Sequence, residues 1–278
     1  MSRTLLVDAN FLRSSLLEDY FRADGCNRVV FSDHVSMECY KGLGLTNLSR
    51  SLDIVSRYPS QVVVLIGTRK IVALQSHSAY ATTPAALIDK KQTREFGRFC
   101  EGVRLAIEGR APDLEEQLLA KNHVANSHFA RLRADAEFGG PAIRAIAAQC
   151  DPALLKQLRT HSPVSSDGAE AIATGIMLVA AVLFRDHPDV ETVPSGETLP
   201  NSLLFRNALA AYLLALRWIS DGGIDSVPTT TLANDLVDVT HVAYATYFDG
   251  VLSADRKLNE LHEEAKWLLR NVFTAGLA

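Results

Sequence analysis

The strongest restriction on the fold of this 278-residue chain is where its β-branched apolar runs fall. They cluster at the two ends. Residues 3–8, 28–31 and 62–66 read as strands, and so do residues 250–253, with 272–273 a possible fifth. Helical patterns follow the early strands, at 10–24, at 34–41 behind the capping pair Ser32-Asp33, and at 45–57, which ends before Pro59. Strands that alternate with helices need crossover connections, which gives a parallel sheet covered on both faces. The simplest closure joins the two ends, residues 1–70 and 222–278, into one three-layer α/β/α unit with a parallel sheet of four or five strands.

Residues 71–221 then form a large all-helical insertion, rich in Ala, Leu, Arg and Glu. The spacing predicts helices over 84–109, 113–138, 141–149, 152–160, 169–184 and 201–219, then 232–248 and 258–269 in the returning core. Breaks fall at Pro112, Gly139-Gly140-Pro141, Pro163 and Gly222-Gly223. The most apolar run, residues 171–184, has 14 residues, short of the roughly 20 that cross a bilayer. The next, 202–219, carries Arg206 and Arg217. Both read as helices enclosed by other helices or by a second subunit, so a homo-oligomer without membrane contact is expected.

The four cysteines, Cys26, Cys39, Cys100 and Cys150, lie far apart, with no CxxC pair and no zinc-type spacing. They read as reduced thiols. Met1 to Thr4 runs straight into the first strand without an apolar leader, and a cytoplasmic protein is expected.

Ligand sites of parallel α/β sheets lie at the carboxyl ends of the strands, so acids there are the candidates for chemistry. Asp8 ends the first strand, and Glu38 lies about one and a half turns into the helix after the second. Asp238 lies on the helix before the last main strand, and Asp255 directly follows that strand. Asp235, three residues before Asp238, competes with it as the third acid. Carboxylates gathered in one place repel one another unless cations neutralise them. Mg2+ or Mn2+ suits such a site, and a pair of them can activate a water, hold a phosphodiester and stabilise a leaving oxygen.

These pieces resemble the PIN domain, a family of metal-dependent nucleases with a parallel α/β fold. Leu5-Leu6-Val7-Asp8-Ala9-Asn10 is similar to its apolar strand followed by Asp-x-Asn, and Val35-Ser36-Met37-Glu38-Cys39-Tyr40-Lys41-Gly42 to its V-x-x-E-x-x-K-G helix. The helix opening Asp238-Val239-Thr240-His241-Val242-Ala243 and the close Gly250-Val251-Leu252-Ser253-Ala254-Asp255 complete the order, 17 positions separating the two acids. The resemblance implies an acidic quartet of Asp8, Glu38, Asp238 and Asp255 that holds Mg2+ or Mn2+, with Asn10 and Ser253 supporting it. It also implies phosphodiester hydrolysis, on RNA in preference to DNA, and leaves room for a protein partner that inhibits or activates. The insertion departs from the family, whose core is near half this length.

The net charge of −4 offers no general field for a polyanion. Within residues 71–221, 15 basic residues face 17 acidic ones. One strip is locally basic, Lys90, Lys91, Arg94 and Arg98, with Glu101 placed to pair with Arg98. That strip is the candidate guide for substrate. Three other readings compete. A haloacid-dehalogenase-like phosphatase would use Asp8 as nucleophile and the insertion as cap, but position 10 is Asn where that chemistry needs an acid. An all-helical metal enzyme would use Asp235, Asp238 and His241. A PIN-like binding module would keep the acids without catalysis.

Overall fold

The computed structural model describes residues 2–77, 83–138, 145, 146, 148–160, 162, 164–196, 198–222 and 229–273. Four short parallel strands make the sheet: β1 (Thr4–Val7), β2 (Arg28–Phe31), β3 (Val62–Val64) and β4 (Gly250–Leu252), in the order β3-β2-β1-β4. Leu5 pairs with both Val29 and Gly250, and Leu6 with both Val30 and Val251, so the first strand lies in the middle and the two chain ends meet beside it.

Alternation along the strands divides their side chains between two cores. Leu6, Val30 and Val63 enter one, and Val7, Val29, Phe31 and Val62 the other. The first core lies under α9 (Leu203–Ser220), α10 (Thr229–Ala245) and α11 (Arg256–Leu268). The second lies under α1 (Ser15–Ala23), α2 (Asp33–Tyr40), α3 (Thr46–Leu52) and α5 (Lys90–Ile107). The chain is thus α/β with helices on both faces of a parallel sheet. Within residues 71–221, α5 packs on β3 and α9 on α10 and α11, so this segment supplies helices to both cores.

Capping explains where several helices begin. Ser32 Oγ accepts from the Val35 amide at 3.2 Å, Asp89 Oδ1 from those of Lys91 and Gln92, and Ser202 Oγ from that of Phe205. Each such cap is worth about 1 kcal/mol. Asp89 also marks a difference from the expected helix over 84–109. Residues Pro84–Leu87 form a 3-10 turn, and Ile88 bridges Leu65 beside β3 before α5 starts. The backbone of this stretch is bonded to the end of the strand, Asp89 N donating to Val64 O at 2.8 Å, and is no longer available to a helix.

Other expectations shift for similar local reasons. The helix expected over 10–24 splits at Ser14, whose extended backbone caps α1 behind a turn at Phe11–Arg13. That over 45–57 divides into α3 and a turn at Val55–Arg57. A helix with no sequence expectation, α4 (Thr68–His77), begins where Asp33 Oδ2 accepts from the Thr68 amide. Residues 272–273 are not a strand; they end a π-helical turn, Leu269–Phe273, held by Phe273 packing edge-on against Phe205. Most of the helix expected over 141–149 lies outside the described residues.

α6 (Pro112–Phe138) runs against α5, α2 and α10, and α7 (Pro152–Arg159) against α9. α8 (Ser166–Asp186) has 21 residues, longer than the 14-residue run that marked it. It and α9 are long and apolar enough to cross a membrane by length and composition. They differ in packing: α9 is enclosed in the core, whereas α8 turns Met177, Leu178 and Val182 outward.

Candidate metal centre

The site is built where the strands end. Asp8 is the first residue after β1 and is buried. Its Oδ2 accepts from Ser253 Oγ at 2.8 Å and its Oδ1 from the Asn10 amide at 3.2 Å. Ser253 Oγ also accepts from the Asp255 amide at 3.0 Å, which ties the end of β4 to the end of β1. Asn10 contributes through its backbone, since the residue is exposed. Asp255 stands at the rim as the N-cap of α11, its Oδ1 accepting from the Lys257 and Leu258 amides at 2.7 and 3.2 Å.

Two helices bring the remaining donors. The Ser32 cap starts α2 directly beyond β2, which carries Glu38 toward Asp8. α10 crosses the same edge and presents Asp238 and His241, three residues apart and so on one face. Asp235 is occupied elsewhere: its Oδ2 accepts from Trp218 Nε1 at 2.9 Å and forms an ion pair with Lys257 Nζ. Among the described residues Asp238 has no hydrogen-bond partner, and it is the acid of the pair that faces the cluster.

Burial and the neighbouring charges raise the acids. Burial pushes the Asp238 carboxyl up to about 8, with further upward pressure from Asp255, Asp8, Asp235 and Glu38. Burial likewise pushes Glu38 up to about 7, aided by Asp8 and opposed by Lys41. Asp8 is raised by burial despite its bonds from Ser253 and Asn10. Burial holds His241 neutral, pulling it down to about 3, with His34 adding to the effect.

Unsatisfied atoms mark the centre of this arrangement. Glu38 Oε2 and both ring nitrogens of His241 are buried without a hydrogen-bond partner, although His241 Nε2 stands 3.5 Å from Glu38 Oε2. Asp8, Glu38 and His241 each offer one ligand atom within 4.8 Å of the others. Buried polar groups left unpaired cost about 1–3 kcal/mol each. A divalent cation fits this donor set, because it would satisfy orphaned atoms and neutralise carboxylates that otherwise repel.

His241 joins the cluster from α10, away from any strand end. Its signal was present, since Asp238 and His241 share a helical face, but it entered only the all-helical reading. The basic strip is positioned less closely. Lys90, Lys91, Arg94 and Arg98 are exposed on α5, which starts at the carboxyl end of β3, two strand spacings or about 10 Å from β1. Glu101 bonds Arg104 at 2.6 Å in place of the expected Arg98.

Compared with models of protein families, with curated proteins and with solved structures, the chain matches none of them.

Proposed function

We propose that this chain is a divalent-metal-dependent nuclease with a PIN-like active site, hydrolysing phosphodiester bonds and acting on RNA in preference to DNA. The observation that carries this reading is the convergence of Asp8, Glu38 and Asp238, with Asp255 at the rim, from distant parts of the chain onto one sheet edge, where burial and then mutual repulsion raise the Asp238 and Glu38 carboxyls. Such a cluster serves chemistry on a polyanion only when cations are present, and the resemblance of the four motifs to PIN domains supplies the nuclease class and the RNA preference. Asp8, Glu38 and Asp238 would hold Mg2+ or Mn2+, with Asp255 alongside. The bound cation supplies Lewis acidity toward a phosphodiester and a lowered pKa for a coordinated water.

The protein's own part in this scheme is positioning. Ser253 fixes one oxygen of Asp8 and the Asn10 amide the other, so the Asp8 carboxylate is held in one orientation. Lys257 and Trp218 engage Asp235 Oδ2 and hold that carboxylate away from the ligand atoms. Lys90, Lys91, Arg94 and Arg98 provide a path for the phosphate backbone of the substrate.

Cleavage of structured and single-stranded RNA and of DNA, with Mg2+ or Mn2+ and with chelator, tests the reading. Asp8→Asn is expected to reduce cleavage by at least about 100-fold while the protein stays folded. Sequencing RNA ends in cells that express wild type or Asp8→Asn would show the natural substrate. Equal activity of the two proteins, or no cleavage of either nucleic acid, would sink the proposal.

A further inference from the structure

We infer that His241 is itself a ligand, making a mixed oxygen and nitrogen site of Asp8, Glu38 and His241 that favours a late first-row divalent cation of the Fe2+, Co2+ or Zn2+ type over Mg2+. This deepens the nuclease reading and rests on it for the use of the cation, while the donor set stands on the geometry alone. His241 is 1% exposed, and neither of its ring nitrogens has a partner. A histidine buried for packing normally has at least one nitrogen hydrogen-bonded, because an imidazole carries an N–H donor and an acceptor that both lose water. Here Nε2 points at another orphan, Glu38 Oε2, 3.5 Å away. One cation between them would satisfy both atoms at once.

Among the described residues the surrounding chain offers no alternative partner. Of the charged groups of α2, Glu38 faces the ring, and Asp33 is committed to Thr68, accepting from its amide at 2.7 Å and its hydroxyl at 2.6 Å. Asp238, on His241's own helix, belongs to the same cluster. His34, one turn before Glu38, acts on the ring as a second imidazole and lies edge-on to His128 of α6 at 6.2 Å between centroids. A site of carboxylates alone suits Mg2+, Ca2+ or Mn2+, whereas an imidazole donor strengthens binding of Fe2+, Co2+, Ni2+ and Zn2+.

The test uses the full chain and metals alone. In wild-type protein loaded with Mn2+, electron spin-echo spectroscopy is expected to show a directly coordinated 14N, replaced by a 15N signature when histidine is 15N-labelled. Calorimetric titration is expected to show Co2+ affinity falling by about 10–100-fold in His241→Asn, with Mg2+ affinity changed by less than about threefold. Asp8→Asn should lose affinity for both ions. Absence of nitrogen coupling in wild type overturns the histidine inference without requiring any variant to fold; Mg2+-dependent cleavage in that same protein would leave the nuclease reading standing. Binding of neither ion overturns both.

Discussion

Two buried polar regions of this protein stand in opposite states of satisfaction. Around Arg206, everything is paired: its guanidinium donates to Pro200 O, Thr246 Oγ1 and Asn201 Oδ1 at 3.2, 3.0 and 3.1 Å and stacks 3.7 Å from the Tyr247 ring. Tyr247 donates to Asn201 O at 2.6 Å, and Gln75 joins Tyr247 to the Leu203 amide at the start of α9. At the sheet edge, Glu38 Oε2 and the ring nitrogens of His241 have no such partners among the described residues. A satisfied buried network fixes a structure, whereas an unsatisfied one carries an uncompensated desolvation cost. The first joins α4, α9 and the end of α10; the second gathers Asp8, Glu38 and His241, whose ligand atoms lie within 4.8 Å of one another.

The largest expected effect breaks the satisfied region. Arg206→Met would leave Pro200 O, Asn201 Oδ1 and Thr246 Oγ1 without their charged donor, at a cost of about 3 kcal/mol. Thermal denaturation should show Tm lower by roughly 5–10 °C, with Co2+ and Mg2+ affinities unchanged at a temperature where the variant is folded. A change smaller than about 1 °C would mean that this network does not fix the helices.

The next effect has the opposite sign and depends on pH. Asp238 and Glu38 have folded pKa values raised above those of an unfolded chain, so the folded protein binds more protons than the unfolded one across the interval. Stability from these groups is present below about pH 4 and is lost as pH rises through about 7 to 8. His241, pulled down, contributes in the other direction below the ordinary histidine range, so a difference between proteins isolates the acids. In chelator, the Tm of Asp238→Asn minus that of wild type should be near zero at about pH 4 and rise to a few degrees at about pH 8. Saturating Mn2+ should raise the wild-type Tm and shrink the difference. A flat difference across this range would show that the Asp238 carboxylate is neither desolvated by burial nor repelled by its neighbours.

The same contrast bears on what could be read from the sequence. Asp8, Glu38 and Asp255 were legible because each is placed by a strand end or helix start, and strand-end acids have a geometric meaning in a parallel sheet. The order of the apolar runs likewise implied the parallel sheet. The 17-position spacing to Asp255 favours Asp238 over Asp235, but what holds Asp235 aside, Trp218 and Lys257, comes from other elements. The shared helical face of Asp238 and His241 is visible in the sequence, but that the ring nitrogens lack partners depends on α2 and Glu38, which are distant in sequence. The split at Pro84–Leu87 and the onset of α4 depend on backbone bonds to β3 and to Asp33, which are distant in sequence.

Asp235→Asn sharpens the comparison at the boundary between the two kinds of region. This acid is buried yet paired, so its loss should lower stability by about 1–2 kcal/mol, the opposite direction from Asp238→Asn at about pH 8. The effect is modest because Lys257 is 34% exposed in its side chain and can be hydrated when its partner is neutral. Calorimetric Mn2+ affinity should fall much less than in Asp238→Asn. Equal losses would place Asp235 among the ligands.

The smallest effect lies outside both regions, on the exposed strip of α5. Replacing Lys91 and Arg94 with Glu reverses two charges at the carboxyl end of β3 without touching a buried group. If the strip guides the backbone of RNA, binding of a phosphorothioate RNA that resists cleavage should weaken several-fold in Mg2+. The slope of log affinity against log salt should lessen by about 0.7 for each phosphate of a single strand that the strip no longer neutralises. Mg2+ affinity measured without RNA should stay within about twofold, because charges exposed about 10 Å away are screened over roughly a Debye length. A change in metal affinity as large as the change in RNA affinity would mean that the strip and the cluster share one field. Unchanged RNA affinity would confine substrate recognition to the cation and the groups that hold it.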